Sequence, residues 1–135
     1  MQNRAKVVVA YLNGRRLKGY TNDFSPVRDQ FFLFPVGQEP KPGDRGVAVK
    51  VENLKAVFFV KDFAGNPGRQ KGSTPPAAAT GKKLEITFAD GEKLTGTSVA
   101  YNPKALGFFV QPLDKADNNE RIFIVNENVR QVRVL

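Results

Sequence analysis

The side chains in this sequence with the clearest capacity for binding chemistry are cationic and aromatic. Arg15, Arg16 and Lys18 cluster in one stretch and Arg28 follows a proline. Phe32 stands just beyond, and Arg69, Lys71, Lys82 and Lys83 punctuate a later Gly- and Pro-rich segment. Cations spaced along an extended chain can track phosphates while a ring stacks on a base, the combination that holds single-stranded nucleic acid. The competing reading of the same residues is solubilising charge around a hairpin, with Lys and Arg blocking strand edges and Phe32 in a core. Reactive groups are missing. Without histidine or cysteine the chain lacks the usual general base, soft nucleophile and soft metal ligands. The expectation is therefore a protein with no enzymatic activity, no metal and no cofactor. Gly65, Gly68 and Gly72 do not lead from a strand into a helix, so they make no phosphate loop.

The elements that must position these residues come from a repeat. Residues Lys6 to Pro35 return without a gap as Lys83 to Pro112: Gly14 meets Gly91, Leu17 meets Leu94, Gly19 meets Gly96, Pro26 meets Pro103, and the Phe31-Phe32 pair meets Phe108-Phe109. After a two-residue length difference, Gly46 to Val60 sets against Arg121 to Leu135. A repeat at this spacing is first a statement about fold. The domain reading is a first unit over 1–61, a Gly/Pro/Ala-rich linker over 62–82 with a mobile tether from 68 to 81, and a second unit over 83–135. Each unit is near the lower size limit for independent folding, so the two are expected to lean on each other.

The basic residues of the first copy are not kept in the second, where Glu92, Lys93, Thr95 and Ala105 stand for Arg15, Arg16, Lys18 and Arg28. Charge follows suit. Residues 1–60 carry ten Lys/Arg against five Asp/Glu, 61–82 four against one, and 83–135 seven against seven. An imbalance of that kind points the first copy and the linker at an anionic partner. A carboxylate pair of Asp23 and Asp29 has Ala100 and Leu106 as its counterparts, and surface acids are far more often solvated than catalytic.

Residues 7–12 alternate in a β-branched run and end at Asn13-Gly14, a hairpin signal repeated at Asp90-Gly91. Leu84, Ile86 and Phe88 keep the positions of Val7, Val9 and Tyr11 apolar while Glu85 and Thr87 replace Val8 and Ala10, which assigns the odd positions of the first strand to the interior. The apolar outer stripe Val8, Ala10 and Leu12 then needs a cover, from the second copy or from another molecule. Further strands are expected over 15–22, 30–34, 47–51 and 55–60, with their counterparts in the second copy, and Phe24 as a plug two residues before Pro26. The fold class is all-β: tandem duplicated five-stranded small barrels packed together.

The stretches VVVAYLNGRRLKGYTNDF, FFLFP and VKVENLKAVFFV resemble the SH3-like and Sm-like small barrels. LKGYTNDF, FFLFP and LKAVFFVKDFAGNP resemble an uncharacterised bacterial domain family found alone or attached to signalling modules. The Sm-like nucleic-acid pocket does not transfer, because FFLFP and Glu52-Asn53 stand where its residues belong. Asp23-Phe24-Ser25 resembles part of the PilZ cyclic-dinucleotide motif, but Arg15 and Arg16 sit too close to Asp23 and Arg28 replaces a glycine; cyclic-dinucleotide binding is the distant alternative.

The leading expectation is a non-catalytic interaction or adaptor module of a bacterial cytosolic regulatory system, docking a protein partner or a second copy through open strand edges or the Val8, Ala10, Leu12 face. The alternative is a single-stranded nucleic-acid binder that uses the basic first copy and linker. No apolar run long enough to span a membrane, or to serve as a signal peptide, is present, and the absence of cysteine favours a cytoplasmic setting.

Overall fold

The computed structural model describes residues 4–37, 46–61, 63, 81–113 and 119–135. It is all-β. The strands are β1 (Ala5–Tyr11), β2 (Arg16–Thr21), β3 (Gln30–Pro35), β4 (Val47–Lys50), β5 (Leu54–Val60), β6 (Lys82–Phe88), β7 (Lys93–Ser98), β8 (Gly107–Val110), β9 (Asn119–Val125) and β10 (Val129–Val134). Single 3-10 turns, Val51–Asn53 and Asn126–Asn128, precede β5 and β10. No helix among the described residues is long and apolar enough to cross a membrane.

The strands pair in the order β4-β3-β2-β1-β5-β9-β8 in one seven-stranded sheet, with β10-β6-β7 in a second. Thr97 and Gln111 exchange two backbone hydrogen bonds, of 2.9 and 2.8 Å, and so bridge β7 to the end of β8. Each half of the chain therefore follows one order of neighbours, fourth-third-second-first-fifth. The expectation of two closed five-stranded barrels is corrected, since no barrel closes among the described residues. β5 gives its second edge to β9 of the other half and not to β4, so the sheet of the first half runs on into the second. Of the linker expected at 62–82 only Phe63, Gly81 and Lys82 are described, and Lys82 already opens β6; the tether expected at 68–81 lies outside the described residues except for Gly81.

That shared edge explains two hydrophobic runs. Along β5, Val57 and Phe59 enter a first core with Val7, Val9, Phe31, Leu33 and Phe123, while Ala56 enters a second with Leu84, Ile86, Phe88 and Ile124, where Phe58 packs at its rim. β9 divides the same way, Phe123 and Val125 to the first core and Ile122 and Ile124 to the second. Strands buried on both faces lose the apolar-polar alternation of half-buried ones, which is why LKAVFFV and RIFIV read as continuous apolar sequence.

Hairpin turns place Gly14 and Gly91 at φ +92° and +91°, where a side chain would be strained. Asn13 Oδ1 and Asp90 Oδ1 accept the amide two residues on, from Arg15 at 2.9 Å and Glu92 at 3.0 Å. Gly19 and Gly96 instead mark close approach. A Cβ on Gly19 would lie 2.6 Å from the Phe34 carbonyl oxygen, and one on Gly96 2.2 Å from Val110 Cγ1. Phe24 packs edge-on to Phe31, Phe59, Phe109 and Phe123 with centroids 5.1 to 6.2 Å apart.

Polar ties cross between the halves. The Asn128 side chain, 8% exposed, donates to the carbonyls of Glu52 and Leu54 at 2.9 and 2.7 Å. The Lys55 ammonium, on a residue 7% exposed, pairs with Asp90 at 2.8 Å and with Glu92, and lies 5.0 Å above the Phe88 ring. Burial alone lowers the Lys55 pKa, but hydrogen bonds and charge from the two carboxylates outweigh it and hold the group above 10.5. The same hydrogen bond from Lys55 holds Asp90 below 3.8.

Candidate nucleic-acid interface

The period of two along β1, β2 and β3 carries the site. Register places Lys6 opposite Tyr20, Val8 opposite Lys18, and Ala10 opposite Arg16. Tyr20 in turn opposes Phe34 on β3, and Phe32 opposes Ala48 on β4. Successive strand residues point to opposite sides. Lys6, Arg16, Lys18, Tyr20, Phe32, Phe34 and Lys50 therefore share the outer face of the first half, away from Val7, Val9, Phe31 and Leu33. Lys6, Arg16, Lys18 and Lys50 are exposed; Tyr20, Phe32 and Phe34 are half-buried. Part of the surface is thus ring and part is charge.

Local contacts set the presentation of these groups. Arg4 lies over the Phe34 ring at 5.3 Å and Arg16 over Phe58 at 5.4 Å. Cation-ring contacts of this kind hold a guanidinium flat while its N–H groups stay available. Lys18 Nζ donates to the Phe63 carbonyl at 3.3 Å, and Phe63 meets Tyr20 edge-on at 5.3 Å. At one end the face opens into a cleft of about 350 Å³ lined by Arg4, Lys6, Phe59, Lys61 and Glu120 among others. Exposed Arg121 lies on the other side of the sheet, opposite Phe59 and 4.5 Å from the centroids of both Phe59 and Phe109.

Of the basic and aromatic residues singled out in the sequence, Arg16, Lys18 and Phe32 come together on this face. Arg15 lies in the hairpin, exposed, with its guanidinium 5.8 Å from the ring of Tyr11. Arg28 is exposed in the loop before β3, where its amide donates to the Ser25 carbonyl at 3.2 Å. Lys82 and Lys83 are exposed at the start of β6, in the other sheet. Arg69 and Lys71 lie outside the described residues. Arg4, Lys6, Tyr20, Phe34 and Lys50 join them without having been singled out, although alternation in RLKGY and QFFLF is enough to place Tyr20 and Phe34 beside Arg16, Lys18 and Phe32.

The apolar stripe lies on the same face of β1. Ala10 is 3% exposed and stands directly opposite Ala56 of the second core; Val8 is half-buried opposite Phe58, and Leu12 is 37% exposed. At Ala10 the stripe is taken up inside the chain and offers nothing to an outside partner. Asp23, considered as half of a carboxylate pair, accepts hydrogen bonds from the Thr21 hydroxyl and the Phe32 amide, both at 3.1 Å. Phe24 of the same loop packs among four rings.

Fold and face together define an all-β chain of two sheets with a basic, partly aromatic outer surface on its first half. By sequence the chain belongs to a family of unknown function (DUF6982), whose model matches residues 3–135. No curated protein and no solved structure matches it.

Proposed function

We propose that this chain is a non-catalytic binding module that holds single-stranded nucleic acid on the outer face of β1 to β4. The observation that carries the reading is the convergence of Lys6, Arg16, Lys18 and Lys50 with the half-exposed rings of Tyr20, Phe32 and Phe34 on one sheet surface. Cations there would follow the phosphates and rings would stack on bases, a sequence-tolerant mode with strong salt dependence. The reading includes the architecture: the halves are two copies of an SH3-like or Sm-like module joined edge to edge, supported by their common strand order and the 3-10 turn before each last strand. A bacterial, cytoplasmic setting belongs to the same proposal.

The test is fluorescence anisotropy with a labelled oligothymidylate across a salt series. We expect binding at low salt, with log K falling linearly in log salt, and a slope shallower by roughly 0.7 per phosphate contact when Arg16→Glu and Lys18→Glu are combined. Phe32→Ala should weaken binding by about 1–3 kcal/mol with little change in slope. Absence of binding at about 50 mM salt, where counterion release favours association most, ends this reading.

A further inference from the structure

One strand-docking event is visible inside the chain. β9 lies on the outer edge of β5 with Ala56 against Ile124, Val57 against Phe123 and Phe58 against Ile122, and beside it Lys55 of β5 pairs with Asp90 and Glu92 in the turn between β6 and β7. In the second half the place of β5 is taken by β10. The repeat sets Arg130 at the position of Lys55, Val132 at Val57, Val134 at Phe59 and Leu135 at Val60. Among the described residues β10 pairs with β6 alone, and its other edge carries no strand. Exposure records the difference: Phe59 is 5% exposed and its counterpart Val134 62%.

We infer that the outer edge of β10 is a docking site for an extended, acidic strand of another protein. The Leu135 amide donates to the Lys83 carbonyl of β6 at 2.8 Å. Backbone amides alternate in direction along a strand, so those of Val134 and Val132 face outward and stand ready for a partner's carbonyls. Main-chain pairing of this kind supplies affinity and flanking side chains supply choice. Here the flanking groups are Arg130 and Arg133, both exposed. Arg130 spends one N–H on the Ala89 carbonyl, and Arg133 lies 3.7 Å from Glu85, which leaves donors on each guanidinium for a carboxylate.

A second copy of this chain is the wrong occupant. The residues that answer Lys55 in the internal contact, Asp90 and Glu92, have Asn13 and Arg15 as their counterparts in the first half. Carrying the internal register one residue on would also set Lys50 of an incoming β4 against Arg130. Like charges directly opposed across strands repel. At the internal seam the cation of β5 is answered by carboxylates of a hairpin beside the docked strand; the β10 edge keeps a cation in Arg130, and β4, the terminal strand of its sheet among the described residues, cannot answer it.

This inference stands apart from the nucleic-acid reading, and the experiment separates them. The probe is a capped peptide of about seven residues alternating Ile or Val with Glu, compared by calorimetric titration of the full chain with its Lys counterpart. We expect the Glu peptide to bind and the Lys peptide not to, with Arg130→Glu reversing the preference. Val134→Pro blocks an outward amide and leaves the β6 ladder intact; with an unchanged far-UV spectrum it should weaken the Glu peptide about tenfold or more, the worth of roughly one lost hydrogen bond. An oligothymidylate should not displace the peptide. Equal binding of both peptides, indifference to Val134→Pro, displacement by the oligonucleotide, or self-association of the chain at the same concentrations overturns the inference, while oligonucleotide binding itself is judged by its own titration.

Discussion

At the scale of single residues, Lys55 is the side chain whose role was least legible. In LKAVFFV it reads as one cation interrupting an apolar strand. Its partners stand 35 and 37 positions later, at the tip of a hairpin, and no local pattern announces a long-range pair. Its consequence for stability has a definite sign. The Lys55 pKa is raised above 10.5, so its contribution is present below that value and is lost as pH rises through the folded-state value. The Asp90 pKa is lowered below 3.8, so its contribution is present above that value and is lost as pH falls through the folded-state value. Urea midpoints measured across pH should therefore be flat between these limits as far as this pair is concerned and decline outside them. Lys55→Met keeps the volume and the contact with Phe88 and removes both declines. A pH profile unchanged in that variant would show that other groups set it.

At the scale of elements, alternation was readable and pairing was not. Val7, Val9, Leu84 and Ile86 were assigned inward from comparison of the copies, and all four have no exposed surface. The 3-10 turns Val51–Asn53 and Asn126–Asn128 share only a Glu-Asn pair, a sequence that names no turn type. The glycines inside β2 and β7, matched in the repeat, have proximity as their physical reason, because the next strand's backbone and side chains occupy the volume where a Cβ would stand. Gly19→Ala and Gly96→Ala should each cost about 1–3 kcal/mol, as small-to-large changes in packed sites do. Equilibrium urea unfolding measures it, and a loss within error at both positions would mean that the strands can move apart without penalty.

For the molecule as a whole, the repeat spoke clearly of two similar units that lean on each other and said nothing of how they join. Sequence identity between copies says nothing about which copy a strand pairs with, since β5 and β10 share their positions while only β5 carries a strand of the other half. The decisive information is distributed: Phe123 and Val125 complete the first core, and Ala56 completes the second. Residues 1–61 made alone would lack that part of the first core and would expose the outer face of β5. Such a fragment should show no cooperative thermal transition by circular dichroism, whereas the full chain unfolds in one step. A fragment melting as sharply as the intact protein would mean that each half is sufficient. The candidate surface was half visible for a similar reason. Arg16, Lys18 and Phe32 could be named from composition, but their neighbours Arg4 and Lys50 join them only because β1 and β4 flank β2 and β3.

The position of β5 and β9 at the middle of the ribbon also orders the molecule in time. Each is hydrogen-bonded on both sides and covered on both faces, whereas β4 and β10 are terminal strands of their sheets. Amide protons of Val57, Phe58, Phe123 and Ile124 should be the last to exchange with deuterated solvent, at rates set by global opening. Those of β4 and β10 should exchange through local fraying. The seam between the halves, where two units join, is thus the slowest part of the protein to open.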